Sequence, residues 1–107
     1  MTIRLMALAF FVFASPALAQ TDYERIMHGK ELVEANCSKC HGVSLKDKSS
    51  HEKAPVFRSL AKRYPIEALE EAFAEGIYTG HPDMPEFAAT PEQVAAIVAY
   101  ISSIQDE

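Results

Sequence analysis

The sequence predicts an all-α domain of three main helices joined by loops. Three segments carry apolar residues at the spacing of a helix face, each has a residue suited to start it, and no segment of useful length alternates like a strand. The chain has 107 residues, 49% hydrophobic and 23% charged, without internal repeats or low-complexity tracts. These features predict one globular domain.

The first nineteen residues are predicted to be a signal peptide outside this domain. Arg4 is followed by the apolar run 5–14 and then by SPALAQ, where Ala17 and Ala19 fit the A-x-A cleavage rule. The run has about half of the roughly twenty apolar residues that a membrane span needs; an uncleaved N-terminal anchor is the alternative. We therefore expect a domain at residues 20–107 in the periplasm, where thiols are normally oxidised or otherwise occupied.

The first helix is predicted from Asp22 to about Lys39, with Thr21 or Asp22 as its cap. Its apolar residues are spaced more like a helix than a strand: Tyr23, Ile26, Met27, Leu32, Val33 and Ala35. The only two cysteines, Cys37 and Cys40, would therefore lie at the C-terminal end of this helix, on the same side.

The middle of the chain is predicted to be mostly loop. Between Gly42 and Tyr64 the sequence is polar, but PVFRSLAKRY could form one or two helical turns. A second helix is predicted in PIEALEEAFAEG, with Pro65 at its first position and Gly76 at its end. Its apolar stripe comprises Ile66, Leu69 and Phe73.

The last helix has the clearest sequence signals. Thr90 with Gln93 forms a capping box, and Pro91 takes the first helical position. One face is apolar: Val94, Ile97, Val98, Ile101 and Ile104.

Residues 37–41 read CSKCH, and this motif carries the main functional signal. A lone C-x-x-C pair is a redox-active disulfide, half of a zinc site or a haem attachment point, and a following histidine, here His41, favours haem. In a haem site both thiols add to the porphyrin vinyl groups, and the histidine binds the iron. A thioredoxin-like disulfide would instead follow a strand. Structural zinc would need an oddly spaced set drawn from His28, His41, His51 and His81.

Only two methionines, Met27 and Met84, follow the predicted cleavage site and could bind iron opposite His41. Met27 is too close to Cys37 on the same helix to reach the far face of the porphyrin, and is expected to pack in the core. Met84 lies 43 residues after His41 in HPDMPEF, where prolines on both sides favour a stiff, extended loop. A His/Met pair raises the reduction potential.

His81, three residues before Met84, is the competing distal ligand and would give a lower potential. Otherwise His81, His28 and His51 are interpreted chiefly as surface histidines.

With these motifs, the chain resembles the small class I c-type cytochromes. The resemblance covers most of residues 20–107 through CSKCHG, KAPVF, HPDMPEF and the terminal helices. It implies a cytochrome c-like fold around one haem c, linked through Cys37 and Cys40. It further implies the metal ligands His41 (proximal) and Met84 (distal).

The resemblance also implies two structural contacts. The backbone carbonyl of Pro55 would accept a hydrogen bond from the other ring nitrogen of His41, fixing the ring and raising its basicity. The first and last helices of the family cross near a glycine and an aromatic residue, and Gly29 and Tyr100 resemble these positions. Close helix approach would explain a mid-helix glycine that costs up to about 1 kcal/mol against alanine.

Charge is unevenly distributed along the chain. Residues 20–107 hold nine Lys and Arg against fifteen Asp and Glu, whereas residues 39–63 carry a net charge of +5 and residues 64–107 have no Lys or Arg. This asymmetry is either a difference between solvated segments or a basic border at the haem edge that orients an acidic partner. The acidic net charge argues against nucleic-acid binding.

The sequence thus predicts a soluble periplasmic one-electron carrier that is not an enzyme and has no small-molecule substrate. Its expected partners are redox proteins: a dehydrogenase, a quinol-oxidising complex or a terminal oxidase. It would be a monomer or a subunit of a redox complex. The alternatives are a sensor, a ligand-binding haem protein or a weak peroxidase, if Met84 does not bind iron, and a disulfide domain without haem.

Overall fold

The computed structural model describes residues 2, 7–13, 21–75 and 83–106. These residues form three α-helices and one 3₁₀ helix, with no strand among them: α1 Asp22–Asn36, the 3₁₀ helix Phe57–Lys62, α2 Ala68–Glu75 and α3 Pro91–Ser103. The predicted all-α class is confirmed. Within the described ranges, none of the helices is long and apolar enough to cross a membrane.

Helix α1 has a complete N-terminal capping box and ends earlier than predicted. The Thr21 hydroxyl accepts from the backbone N–H of Glu24 at 3.1 Å, and the Glu24 carboxylate accepts from the Thr21 N–H. At the other end, the Ser38 hydroxyl donates to the Glu34 carbonyl, which is the acceptor that the Ser38 N–H would use in a continued helix. The motif at residues 37–41 therefore lies in the turn after α1, not in its last turn.

Helices α1 and α3 pack closely where Gly29 lies. A Cβ at Gly29 would overlap the Ala96 carbonyl and lie 2.9 Å from Tyr100 Cβ, so only glycine permits this approach. The Tyr100 hydroxyl also donates to the Val43 carbonyl at 2.6 Å. This is the crossing that the resemblance implies, and it connects α3 to the loop after the CSKCH motif.

Helix α2 begins at Ala68 and not at Pro65, so the prediction of its first residue is wrong. The backbone N–H groups of Ala68 and Leu69 donate to carbonyls three residues back, at Pro65 and Ile66, each at 3.0 Å. This short-range spacing is that of a 3₁₀ turn, which precedes the α-helical bonds. The predicted end at Gly76 lies outside the described residues.

The 3₁₀ helix falls in the segment predicted to form one or two helical turns, and the C-terminal residues hold it. The Gln105 amide donates to the Phe57 carbonyl at 2.7 Å and accepts from the Ala61 N–H at 2.8 Å. The Asp106 N–H donates to the Arg58 carbonyl at 2.7 Å. These bonds fix the chain that runs from the CSKCH motif towards α2.

The apolar core is drawn from α1, the 3₁₀ helix, α2 and α3, together with three residues outside these elements, Val43, Ile66 and Ile104. Its members share low exposure: Val33, Val43, Phe57, Leu60, Ile66, Leu69, Phe73, Val94, Ile97, Val98, Tyr100, Ile101 and Ile104. Met27 is 36% exposed, so its predicted place in the core is wrong; its neighbour Ile26 packs against the core instead. Residues 7–13 lack regular secondary structure, and their large apolar side chains are exposed.

Candidate functional site

A cavity of about 280 Å³ brings together all five predicted site residues. They come from separate parts of the chain: Cys37, Cys40 and His41 follow α1, Pro55 precedes the 3₁₀ helix, and Met84 follows α2. The cavity is close to the lower end of the ~300–1,000 Å³ typical of small-molecule and cofactor sites. The role of each residue in holding a cofactor remains a prediction.

Backbone hydrogen bonds fold the CSKCH motif into a tight turn at the cavity. The Cys37 N–H donates to the Val33 carbonyl at 2.8 Å, continuing the pattern of α1. The N–H groups of Cys40 and His41 then both donate to the Cys37 carbonyl, at 3.2 and 2.9 Å. The turn presents both thiols and the imidazole to one cavity, and the two cysteines are not joined by a disulfide.

The His41 ring is fixed by the contact that the resemblance implies. Its Nδ1 lies 2.7 Å from the Pro55 carbonyl oxygen. Because a carbonyl only accepts, Nδ1 carries the proton and the lone pair of neutral imidazole is on Nε2, the form that binds a metal. The buried Phe57 ring packs against the imidazole with centroids 4.7 Å apart. His41 is therefore oriented from two sides.

Cys37 has the wrong acidity for thiol–disulfide exchange. Burial raises the pKa of its thiol to about 11, so the sulfur is protonated near neutral pH. The attacking cysteine of a redox-active C-x-x-C motif has a depressed pKa instead. This argues against the disulfide oxidoreductase interpretation.

The loop after the motif is closed by Asp47. Its carboxylate accepts from the backbone N–H groups of Val43 and Ser44 at 3.0 and 2.8 Å, and its carbonyl accepts from the Arg58 guanidinium at 2.6 Å. Desolvation acts to raise the pKa of Asp47, but the bonds from Ser44 and Val43 outweigh it and hold that pKa below its usual range. The ionised Asp47 carboxylate thus fixes the loop that follows His41 in the sequence.

Met84 lies at a bend that follows a turn at Asp83, in a loop segment with contacts on both sides. It is half-buried and packs against the core. On the C-terminal side, Phe87 meets Phe73 of α2 edge to face, with centroids 6.2 Å apart. On the N-terminal side, Asp83 lies 3.1 Å from His51. The competing ligand His81 lies outside the described residues.

The family model for cytochrome c matches residues 26–105, most of the chain. The chain belongs to the cytochrome c family. Comparisons with curated proteins and with solved structures gave no match. Membership implies an electron-transfer protein with covalently bound haem c, in a family that generally carries electrons and does not catalyse reactions.

The residues of this cytochrome c fit haem c. Two thiols three residues apart suit thioether attachment, and the His41 tautomer leaves Nε2 available to iron. Among the described residues, there is no group of three or more His, Cys, Asp or Glu side chains placed to hold a metal ion.

The sequence did not indicate every residue at the site. His28 is exposed as expected, but His51 is half-buried at the cavity and bonded to Asp83. Lys39 and Lys53 also line the cavity. The +5 charge of residues 39–63 indicated that basic side chains could lie near the site. No sequence pattern links His51 to Asp83, which is 32 positions away.

Proposed function

We propose that this cytochrome c is a soluble periplasmic one-electron carrier with one haem c per chain. Cys37 and Cys40 would hold the haem, with His41 and Met84 as axial ligands. One observation carries the proposal: residues of the CSKCH turn and Met84 line the same cavity, although His41 and Met84 are 43 residues apart in sequence.

When bound, haem c supplies the one-electron chemistry, and the protein sets its ligands and surroundings. The Pro55 carbonyl raises the basicity of His41 and fixes its plane. Bound to the iron, the Met84 thioether would favour the ferrous state and raise the potential. With both axial positions filled, no substrate would reach the metal, which supports a carrier over an enzyme.

Export to the periplasm is supported by how little the N-terminal segment contributes to the domain. The large apolar side chains of residues 7–13 are exposed, and among the described residues none before Ile26 belongs to the core or packs against it. Cleavage after Ala19 would leave α1 whole, because its capping box begins at Thr21. Mass spectrometry of the periplasmic protein tests this: a mature chain that starts at Gln20 supports it, and an intact Met1 rejects it.

The absorption spectrum of the purified periplasmic protein tests the ligand set. We expect a c-type spectrum, and in the ferric protein a methionine-to-iron charge-transfer band near the red edge of the visible range. Met84→Ala should abolish this band. Met27→Ala is the matched control, because Met27 is an exposed methionine outside the cavity.

A band that survives in Met84→Ala would reject Met84 as ligand. Loss of a bis-histidine spectrum in His81→Ala would assign the competing ligand instead. An open distal position that binds carbon monoxide in the unmodified protein would favour a sensor or peroxidase. Absence of haem after expression in a host competent for haem c maturation would reject the whole proposal.

We further propose that the basic segment 39–63 faces an acidic redox partner such as a dehydrogenase, a quinol-oxidising complex or a terminal oxidase. The support is that Lys39 and Lys53 of this segment line the cavity. Electron-transfer rates with the natural partner should fall as salt rises. Rates that stay flat across ionic strength would reject this orientation.

A further inference from the structure

We infer that His51 and Asp83 form a clamp that positions Met84, joining the CSKCH turn directly to the methionine segment. The inference rests on the proposed ligation of iron by Met84. His51 and Asp83 would act as positioning residues, without touching the iron.

The CSKCH end of the clamp is fixed by the backbone around His51. The His51 N–H donates to the Cys40 carbonyl at 3.2 Å, and the His51 carbonyl accepts from the Ala54 N–H at 3.1 Å. Its side chain is 32% exposed, at the cavity. His51 is thus bonded to one of the residues that would hold the haem.

Both ring nitrogens of His51 have defined roles. Nδ1 accepts the backbone N–H of Lys53 at 3.1 Å, so it carries no proton. The proton is therefore on Nε2, which donates to the Asp83 carboxylate at 3.1 Å. A bond to an ionised acceptor is stronger than one between neutral groups, and the Lys53 contact orients the ring for it.

Asp83 directly precedes Met84, so the clamp acts on the backbone next to the thioether. On the other side, the contact between Phe87 and Phe73 is apolar and starts three residues later. Met84 is held between a polar anchor and an apolar anchor. Without the polar anchor, the segment would open more often, and the sulfur would leave the iron more often.

The test is the rate at which imidazole replaces the methionine in the ferric holoprotein, measured at one pH by stopped flow. Asp83→Ala and His51→Ala should each raise the rate about two- to fivefold, the range expected from loss of a partly exposed ion-assisted bond. The double variant should be no faster than the faster single variant, since either change alone already removes the bond between His51 and Asp83. Amide hydrogen exchange over residues 83–89 should rise in the same variants, a readout independent of electron transfer.

Glu52→Ala is the control, because Glu52 is an exposed carboxylate next to His51 and does not line the cavity. The clamp is rejected if Asp83→Ala matches Glu52→Ala in both readouts, or if the two single effects multiply in the double variant. If the clamp is rejected in either way, a charge-transfer band in the unmodified protein would still support the proposed His/Met ligation. If the unmodified protein lacks that band, the ligation fails, and the clamp's role fails with it.

Discussion

Gly29→Ala tests the helix crossing on which the fold depends. Alanine gains up to about 1 kcal/mol of helix propensity over glycine. Its Cβ would overlap the backbone carbonyl of Ala96, which cannot rotate away, and would lie 2.9 Å from Tyr100 Cβ. Overpacking costs about 1–3 kcal/mol, and a backbone obstacle places the cost at the upper end. We therefore expect a net loss of about 1–2 kcal/mol, which lowers the Tm by about 4–16 °C.

Urea unfolding of the ferric holoprotein, followed by far-ultraviolet circular dichroism, measures the effect of Gly29→Ala. His28→Ala is the matched control, because His28 is exposed on the same helix and reports propensity alone. That variant should be unchanged or more stable by up to about 0.7 kcal/mol. If Gly29→Ala matches the control, α1 and α3 do not approach each other as closely as the geometry requires, and the packing argument is wrong.

Two further changes test the loop behind His41. Tyr100→Phe removes the bond to the buried Val43 carbonyl and should cost about 1–2 kcal/mol in urea unfolding; an unchanged midpoint would contradict this. Because the folded-state pKa of Asp47 is lowered, its stabilising effect is fully present above the unfolded pKa of about 3.9 and is lost as pH falls through the folded pKa. Asp47→Asn should thus be less stable than the unmodified protein near neutral pH and nearly equal to it in strong acid. If the stability difference between Asp47→Asn and the unmodified protein persists unchanged into acid, the stabilising role of the ionised Asp47 carboxylate is refuted.

Local sequence signals predicted the helices whose ends are set by neighbouring residues. The Thr90 and Gln93 capping box and Pro91 place the start of α3 where the structure has it. The end of α1 was predicted too late, because the Ser38 hydroxyl takes the Glu34 carbonyl that the next helical bond would need, and apolar spacing alone does not show this. Boundaries set by side-chain competition are therefore harder to predict than those set by a capping box.

Contacts between distant residues were predictable only where a motif specified them. The CSKCH motif and the resemblance together specified His41, Pro55 and Met84, and all three line one cavity. Neither the bond from His51 to Asp83 nor the bonds of Gln105 to the 3₁₀ helix have any sequence pattern. These bonds depend on where the packed core places the loops. The conformational propensities of single residues do not predict that placement.

The described contacts on the two sides of the site differ in kind. His41 is oriented by a backbone carbonyl and the buried Phe57 ring, and the loop behind it is fixed by Asp47 and Tyr100. Among the described residues, the segment around Met84 has the partly exposed His51–Asp83 bond on one side and the Phe87–Phe73 ring contact on the other, and it packs against the core. Local opening occurs more readily where the contacts that hold a segment are partly exposed to solvent, as the His51–Asp83 bond is. Under the proposed ligation, changes at this bond would alter the Met84–iron contact without unfolding the domain. If Cys37 and Cys40 hold the haem and Met84 binds its iron, as we propose, the methionine segment is where ligand strength and potential can vary.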